Sequence, residues 1–427
     1  MNTNMILGIV GSPRSKCDGT RLKEIVLQIK DEHMLNVAIE KMGRDQTLSN
    51  TEICLMASLF NVQRYGLDFE ILNLKKHVKG NSIINSNKLE KLVNLAKGII
   101  ITSPVYFGDK TSLVNSFINY SNRKSLLKEK VVGCISAGAK RNGGQETTNI
   151  FILKEVIDAG AYVVGNGPPT SQYGGTAWAG NIGTIREDEL GITTSMGTGR
   201  KVAEVTSVFN TINDSSNETL RVSFWIVKDC HNTILNEVNK IKEYASKNIN
   251  FNIRWDIVDF NSMNIHPCLA CSRCPWYQDK QSLYKCKIKK DDFAMIYKRL
   301  VSTDAVLVCG YHPSTLQDVQ DVYHKVLERT RTIRRDNFLL SNVPVTSLSI
   351  EKLPSNSLFS LKVMTSFLRH NTVIHPPLNV YLHNKKRVTN VENTFLDFLN
   401  FAIKIKKGKK AISNKQSPQY LPIGYTY

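Results

Sequence analysis

Residues 98–108 have the sequence GIIITSPVYFG, in which a short apolar run meets a polar and aromatic loop. The run Gly98–Thr102 has the length and the isoleucine content of a strand that is buried on both faces of a sheet. Ligands of open parallel sheets bind beyond the carboxyl ends of the strands. The loop Ser103–Gly108 therefore lies where a ligand would be expected, and its aromatic pair could flank a flat heteroaromatic ring.

Short apolar strands alternate with helices on either side of this stretch. The predicted strands are Met5–Val10, Asp68–Leu74, Gly98–Thr102, Val131–Ser136 and Ala161–Val164. The predicted helices are Thr51–Tyr65, Leu89–Ala96, Leu113–Tyr120, Phe151–Ala159 and Gly191–Phe209. Residues 165–183 are rich in Gly, Pro, Thr and Asn and are interpreted as a long loop. The alternation predicts an α/β fold with a doubly wound parallel sheet.

The same order of elements restarts after the polar segment 213–217, which is the best linker candidate. The second set of strands is Leu220–Val227, Asn252–Phe260, Ala305–Gly310 and Val343–Ser349. Its helices are Thr233–Ser246, Asp292–Leu300, Asp318–Thr330, Leu358–Leu368 and Val391–Ile405. We interpret this as an internal duplication with divergence. The predicted domains are residues 1–212, residues 218–405 and a basic, disordered tail at residues 406–427.

The composition is that of a globular protein in a reducing compartment. No run approaches the roughly 20 apolar residues of a membrane helix, and no secretory signal opens the chain, so we expect a cytoplasmic protein without a membrane partner. The formal net charge of +19 suits nucleic acid, an acidic protein or a phosphate-bearing cofactor. We interpret it chiefly as a solvated basic surface and expect no nucleic-acid partner.

Two further loops follow predicted strands of the first half. Ser12 and Arg14, in the Gly-Ser-Pro-Arg loop after the first strand, offer a hydroxyl and a cation for a phosphate, and Ser49, Asn50 and Thr51 stand at a helix start. After the fourth strand, Gly138, Gly143 and Gly144 would let backbone approach a ligand closely. Nearby Lys140 and Arg141 add positive charge.

These loops together resemble those of the NADPH-dependent FMN reductase and iron–sulfur flavoprotein family of flavodoxin-like proteins. The resemblance covers most of residues 5–209 and implies two tandem flavodoxin-like domains, of which the first binds FMN. It implies that the phosphate lies at Ser12, Arg14, Ser49, Asn50 and Thr51. It implies that the ring lies against Pro104, Val105, Tyr106, Phe107 and Gly108 and against Gly138, Gly143 and Gly144. Residues 15–48 interrupt the family's pattern between the two phosphate elements, so either they are an insertion, which we favour, or Gly19-Thr20 is the phosphate element.

Four of the nine cysteines are clustered in the second half, at Cys268, Cys271, Cys274 and Cys286. Thiolates at this spacing can converge on one metal or cluster. The stretch resembles the cysteine motif of iron–sulfur flavoproteins, although the gap before Cys286 is longer than the family's. We expect a [4Fe–4S] cluster, with zinc and unmetallated structural thiols as the alternatives.

The second half is not expected to hold its own FMN. Asp229 stands where a phosphate loop should follow the strand at Leu220–Val227, and a carboxylate there repels phosphate. Tyr311 and His312 could reach a flavin from the second half. Because family members form oligomers, the fusion also suggests an internal pseudo-dimer, and a homodimer is a further option.

The predicted function is FMN-dependent oxidoreduction. NAD(P)H or an iron–sulfur donor would supply electrons, and a small molecule or a protein would accept them, with Arg14, Lys140 and Arg141 stabilising the reduced flavin. The alternatives are a non-catalytic electron carrier of the flavodoxin type and a zinc-stabilised basic scaffold that binds nucleic acid.

Overall fold

The computed structural model describes residues 4–210, 218–271, 274, 284, 286–311, 316–335, 338–352, 358–383 and 386–413. The chain divides into two compact units, the first running from Met1 to Thr211 and the second from Ile212 to Lys409, with short C-terminal pieces assigned to each. Each unit is described by itself below. The suggested linker at 213–217 and the residues from 414 onward lie outside the described residues.

The first unit contains eight strands and seven helices among its described residues. Its strands are β1 (Met5–Val10), β2 (Phe69–Asn73), β3 (Val78–Lys79), β4 (Ser82–Ile83), β5 (Ala96–Pro104), β6 (Val131–Gly138), β7 (Tyr162–Val163) and β8 (Gly175–Trp178). Its helices are α1 (Gly19–Gln28), α2 (Glu32–Arg44), α3 (Asn50–Arg64), α4 (Ser86–Leu95), α5 (Ser112–Arg123), α6 (Gln145–Asp158) and α7 (Glu189–Ser207).

The main sheet of the first unit is parallel throughout. Its strands lie in the order β2-β1-β5-β6, and β7 and β8 both pair with β6. Counting the main strands along the chain, this is the 2-1-3-4-5 order of the flavodoxin-like fold. The register places Val10 beside Thr102, and Thr102 beside Ile135, so the carboxyl ends of the central strands lie at one edge. The predicted α/β, doubly wound fold is confirmed.

Helix α3 is buried almost completely, and this differs from the single apolar face that its sequence predicted. Every residue from Thr51 to Val62 is buried, and α3 packs closely against α7. Its apolar side chains fill the layer above β1, where the Leu55 side chain approaches Gly8. A helix that is covered on all sides needs no polar face. Its start is therefore held rigidly against the sheet.

Residues 15–48 form two helices that the sequence analysis did not predict. Asp18 caps α1 by accepting the backbone N–H of Arg21, and Asp31 caps α2 by accepting that of Met34. Leu22 and Val26 of α1 are buried, as expected of an amphipathic surface helix. Helix α1 packs on the edge strand β2. The segment is thus folded into two helices rather than left as an extended loop.

The second unit repeats this architecture in its described residues. Its strands are β9 (Leu220–Lys228), β10 (Ile253–Asp259), β11 (Ala305–Gly310), β12 (Pro344–Lys352), β13 (Val373–Ile374), β14 (Leu378–His383) and β15 (Lys386–Arg387). Its helices are α8 (Thr233–Asn248), α9 (Asp292–Val301), α10 (Leu316–Arg335), α11 (Leu358–Leu368) and α12 (Glu392–Ser413). The parallel order is β10-β9-β11-β12, with β13 and β14 both on β12 and the short antiparallel β15 on β14.

Two predictions about irregular segments were wrong. The stretch Lys406–Ser413, expected to belong to a disordered tail, forms the last turns of α12. This helix buries Phe395, Phe398 and Leu399 on the sheet, and its lysines extend it as good helix formers. The loop expected at residues 165–183 contains β8, whose backbone pairs with β6. No helix among the described residues is long and apolar enough to cross a membrane.

Candidate functional site

A cavity of about 190 Å³ lies at the carboxyl edge of the sheet in the first unit. The three loops singled out in the sequence, the helix start at α3 and the segment after β8 all contribute to it. The lining residues are Ser12, Arg14, Ser49, Asn50, Thr51, Pro104, Val105, Tyr106, Ala137, Ala139, Ala179, Gly180 and Ile182. The cavity thus joins segments that are far apart in the chain at the place where this fold binds ligands.

Most of the predicted site residues line this cavity. The five residues of the phosphate elements are all present, together with Pro104, Val105 and Tyr106. The structure does not bring Phe107, Gly108, Gly138, Gly143 or Gly144 to the cavity lining. Gly19 and Thr20, the alternative phosphate element, lie at the start of α1 and are not part of the lining either. The cavity is thus lined by Ser49, Asn50 and Thr51 and not by Gly19 and Thr20.

The end of the cavity at β1 combines a hydroxyl with a cation. The backbone N–H of Gly11 donates to the Thr102 carbonyl at 2.9 Å, which fixes the loop against β5. The buried Ser12 hydroxyl accepts the backbone N–H of Arg14 at 3.1 Å, so its own proton remains for a ligand. Arg14 is exposed and lines the cavity. This end suits an anion.

The start of α3 forms a second wall of the same end. Ser49 caps the helix in a capping box with Glu52. Asn50 is one of the predicted phosphate residues, and both amide atoms of its side chain are used within the protein. Its Nδ2 donates to the Asn181 carbonyl at 2.8 Å, and its Oδ1 accepts the Gly183 N–H at 2.9 Å. Asn50 thus fastens the loop after β8 to the helix start.

The aromatic loop after β5 is a tight two-residue turn. Tyr106 and Asp109 exchange backbone hydrogen bonds of 2.9 and 3.0 Å. Phe107 and Gly108 between them have φ values of 52° and 82°, as in the turns that reverse a hairpin. The turn directs Phe107 into solvent, where it is fully exposed. Tyr106, rather than the pair, faces the cavity.

The loop after β6 is held by protein contacts. Arg141 was expected to stabilise reduced flavin, but its guanidinium forms an ion pair with the buried Asp188. Asp188 also accepts the backbone N–H groups of Gly191 at 3.0 Å and Trp178 at 2.5 Å. Arg141 therefore anchors the loop to the start of α7. Its charge is balanced locally.

Five lining residues were not predicted, namely Ala137, Ala139, Ala179, Gly180 and Ile182. Ala137 and Ala139 lie at the end of β6, on either side of the predicted Gly138, so this loop lines the cavity through residues other than the predicted glycines. Ala179, Gly180 and Ile182 follow β8, which was interpreted as loop. The sequence did carry a signal for these residues, because residues 174–183 are rich in small side chains. Small side chains let the backbone approach a ligand closely.

Three of the four clustered cysteines of the second unit act on the pKa of the fourth, Cys274. Cys274 and Cys286 are buried, and Cys268 and Cys271 are half-buried. Burial raises the pKa of the Cys274 thiol, and the neighbouring thiols Cys286, Cys271 and Cys268 raise it further. Mutual repulsion among thiolates is what a bound cation or cluster relieves. Even so, no group of three or more His, Cys, Asp or Glu side chains within the described residues is arranged to hold a metal ion.

A buried ion pair supports the segment on both sides of this cluster. Arg329 of α10 and Asp291 are paired with fully buried side chains. Arg329 also donates to the His266 carbonyl at 3.0 Å, and Asp291 accepts the His266 N–H at 3.2 Å. The chain just before Cys268 is thereby fixed to the chain just after Cys286. Tyr311 is half-buried against the core of the second unit, and His312 lies outside the described residues.

The fold and the cavity define a flavodoxin-like α/β protein with a candidate ligand site at the carboxyl edge of the sheet in its first unit. The model of the NADPH-dependent FMN reductase family matches residues 5–168, within the first unit. An iron–sulfur flavoprotein of Methanocaldococcus jannaschii is 31% identical over 38% of this chain and 93% of its own length. The chain belongs to this family of flavin-dependent oxidoreductases.

Further relatives and a solved structure match the chain over comparable lengths. An iron–sulfur flavoprotein of Methanosarcina thermophila is 32% identical over 28% of this chain and 61% of its own. An NAD(P)H dehydrogenase (quinone) of Caulobacter vibrioides is 31% identical over 27% of this chain and 66% of its own. A solved flavodoxin-like WrbA-like protein of Agrobacterium tumefaciens aligns with 48% of this chain and 98% of its own at 12% identity, with a TM-score of 0.29.

Proposed function

We propose that this chain binds one FMN in its first unit and transfers electrons from a reduced nicotinamide, or from an iron–sulfur donor, to a small-molecule or protein acceptor. The observation that carries the proposal is the single cavity that unites Ser12, Arg14, the start of α3 and Pro104–Tyr106. One end offers a hydroxyl, a cation and backbone N–H groups, and the other offers an apolar and aromatic wall. FMN has the matching chemistry, with a phosphate at one end and a flat ring at the other.

The residues present fit this cofactor in distinct roles. Arg14 and Ser12 would hold the phosphate, with the N–H groups at the start of α3. Pro104, Val105 and Tyr106 would lie against the ring, and Ala137, Ala139 and Gly180 would leave it room. When bound, the flavin ring accepts and gives up electrons, while the protein positions it and tunes its potential. Arg14 is the cation of the cavity wall that could favour the reduced, anionic form.

We further propose that the cysteines at 268, 271, 274 and 286 hold a [4Fe–4S] cluster. The proposal is supported by the effect of Cys286, Cys271 and Cys268 on the pKa of Cys274. It is also supported by the names of the similar proteins, two of which are iron–sulfur flavoproteins. The cluster would give the second unit a centre that transfers one electron at a time, whereas a nicotinamide donor supplies two.

FMN binding to the purified full-length chain tests the first proposal. We expect one FMN per chain by titration of flavin fluorescence. We expect Arg14→Ala to weaken FMN binding about tenfold, since a charge-assisted hydrogen bond contributes about 1.5–3 kcal/mol, and to leave riboflavin binding unchanged. Arg123→Ala, which removes an exposed arginine at the end of α5, is the matched control. A wild-type chain that binds neither flavin would overturn the proposal.

Turnover separates an enzyme from an electron carrier. The FMN-loaded chain should oxidise NADH or NADPH continuously when a soluble quinone or ferricyanide is supplied as acceptor. A single reduction of the bound flavin without turnover would instead assign the chain to the flavodoxin-type carriers.

A further inference from the structure

The phosphate end of the cavity is built from two segments that the insertion separates in the chain. Ser12 and Arg14 precede residues 15–48, and Ser49–Thr51 follow them. Helices α1 and α2 occupy most of the interval. Some contact must therefore bring the two segments back into one cradle.

We infer that Glu52 is the positioning residue that joins these two segments and thereby sets the geometry of the phosphate end; this inference rests on the proposed FMN site. The Glu52 side chain is fully buried on the first turn of α3. It does not line the cavity, so it acts through the residues it holds.

One carboxylate oxygen of Glu52 binds the segment that follows Arg14. Its Oε1 accepts the Ser15 hydroxyl at 2.5 Å and the Cys17 backbone N–H at 3.2 Å. The other oxygen, Oε2, accepts the Ser49 backbone N–H of the helix start at 2.7 Å and the Lys16 backbone N–H at 3.5 Å. A single planar group thus spans both sides of the interruption.

The end of β2 completes the connection. Asn73 Nδ2 donates to the Ser15 hydroxyl at 2.6 Å and to the Cys17 carbonyl at 2.7 Å. Ser15 is therefore held from two sides, as acceptor from Asn73 and as donor to Glu52. All three side chains are buried. The network fixes the residue that follows Arg14 to both the sheet and α3.

A buried carboxylate beside an anion site is electrostatically unfavourable for phosphate binding, because like charges repel. Two roles for Glu52 consequently predict opposite results when its charge is removed. If Glu52 only contributes charge, Glu52→Gln should tighten FMN binding. If it positions the cradle, the amide loses one of the two acceptor oxygens, the cradle loosens, and FMN binding weakens.

The experiment compares FMN and riboflavin dissociation constants for the full chain and for Glu52→Gln, because riboflavin lacks the phosphate. We expect Glu52→Gln to weaken FMN binding fivefold or more and to leave riboflavin binding within twofold. Ser15→Ala, which keeps the charge but removes one arm of the network, should give a smaller loss in the same direction. Glu24→Gln, an exposed residue of α1, should change neither.

The outcomes are separable from those of the proposed function. No FMN binding by the wild-type chain overturns the cofactor proposal itself. Normal wild-type binding with unchanged or tighter FMN binding in Glu52→Gln overturns the positioning role alone, as does an equal loss of FMN and riboflavin. If Glu52→Gln does not fold by circular dichroism, Ser15→Ala decides, and an unchanged ratio of its two dissociation constants overturns the inference.

Discussion

The carboxylate of Asp229 accepts the backbone N–H of Ile234 at 3.0 Å, at the start of α8. Its second oxygen accepts the N–H of Leu235, also at 3.0 Å. In the first unit, the corresponding helix start at α3 faces the cavity. The second unit thus satisfies two donors of this helix start with a carboxylate, whereas at the start of α3 the Glu52 N–H donates to the Ser49 hydroxyl.

Removing this internal anion should cost stability without changing flavin binding. We expect Asp229→Ala to lower the free energy of unfolding by about 1 kcal/mol, the usual effect of losing a helix cap, measured by urea denaturation. The titration endpoint should stay at one FMN per chain. Asp229→Asn retains an acceptor and serves as the control. An endpoint of two FMN per wild-type chain would contradict the assignment of a single site.

The sheet was predictable because its strands are short, apolar and separated by helices of amphipathic or apolar character. Gly98–Thr102 and Val131–Ser136 lie inside β5 and β6, and the helix predicted at Thr51–Tyr65 is shifted by one residue. Because both faces of such strands are buried, their sequences are continuously apolar and are easily recognised. The cavity residues of the first two loops follow from the rule that ligands lie at the carboxyl edge.

The remaining features depend on tertiary contacts that no local pattern encodes. The roles of Asn50 and Arg141 are set by Asn181 and Asp188, which are distant in the chain. The outward position of Phe107 follows from its left-handed turn, a conformation that a phenylalanine seldom adopts. Strand β8 has only four residues, and it is a strand because its backbone pairs with β6.

Two glycines near the cavity should respond differently to a methyl group. Gly144 has φ of 97°, and a Cβ there would lie 2.8 Å from the Gly108 Cα, so Gly144→Ala should destabilise the chain by at least about 1 kcal/mol. Gly180 lines the cavity and has open space, with the Ala139 carbonyl at 3.7 Å from a Cβ. Gly180→Ala should keep stability and weaken FMN binding. Thermal unfolding and flavin titration distinguish the two, and a reversed pattern would contradict this geometry.

The metal proposal predicts which cysteines matter. After anaerobic reconstitution with iron and sulfide, we expect about four irons per chain and a broad visible absorption beside the flavin bands. Cys274→Ser or Cys286→Ser should abolish the iron signal and leave FMN binding intact. Cys230→Ser, at a half-buried cysteine outside the cluster, is the matched control.

The alternative metal is tested on the same samples. Stoichiometric zinc in the protein as purified, with no iron uptake, would replace the cluster with a structural zinc site. Equal metal content in wild type and Cys274→Ser would assign the cysteines a role without metal.

Acid should destabilise the second unit through two buried histidines. Burial lowers the pKa of His375 to about 3, and burial together with Arg334 and Arg369 lowers that of His370 to about 3. The folded state therefore keeps both rings neutral, whereas the unfolded chain binds protons near pH 6.5. Their contribution to stability is complete above pH 6.5 and is lost progressively as the pH falls toward 3. Each ring adds a slope of about 1.4 kcal/mol per pH unit in this window.

Urea unfolding between pH 7.5 and 5 measures this slope in a background with Trp178→Phe, so that the fluorescence reports the second unit, which contains the buried Trp225. The substitution His375→Gln removes one titrating ring. The change of unfolding free energy with pH below pH 6.5 should therefore be smaller, even if the variant is less stable at neutral pH. His33→Gln changes an exposed histidine of the first unit and should leave the slope as in the wild type. An undiminished slope in His375→Gln would show that this ring does not remain neutral in the folded chain, because only a proton bound in one state and not the other makes stability depend on pH.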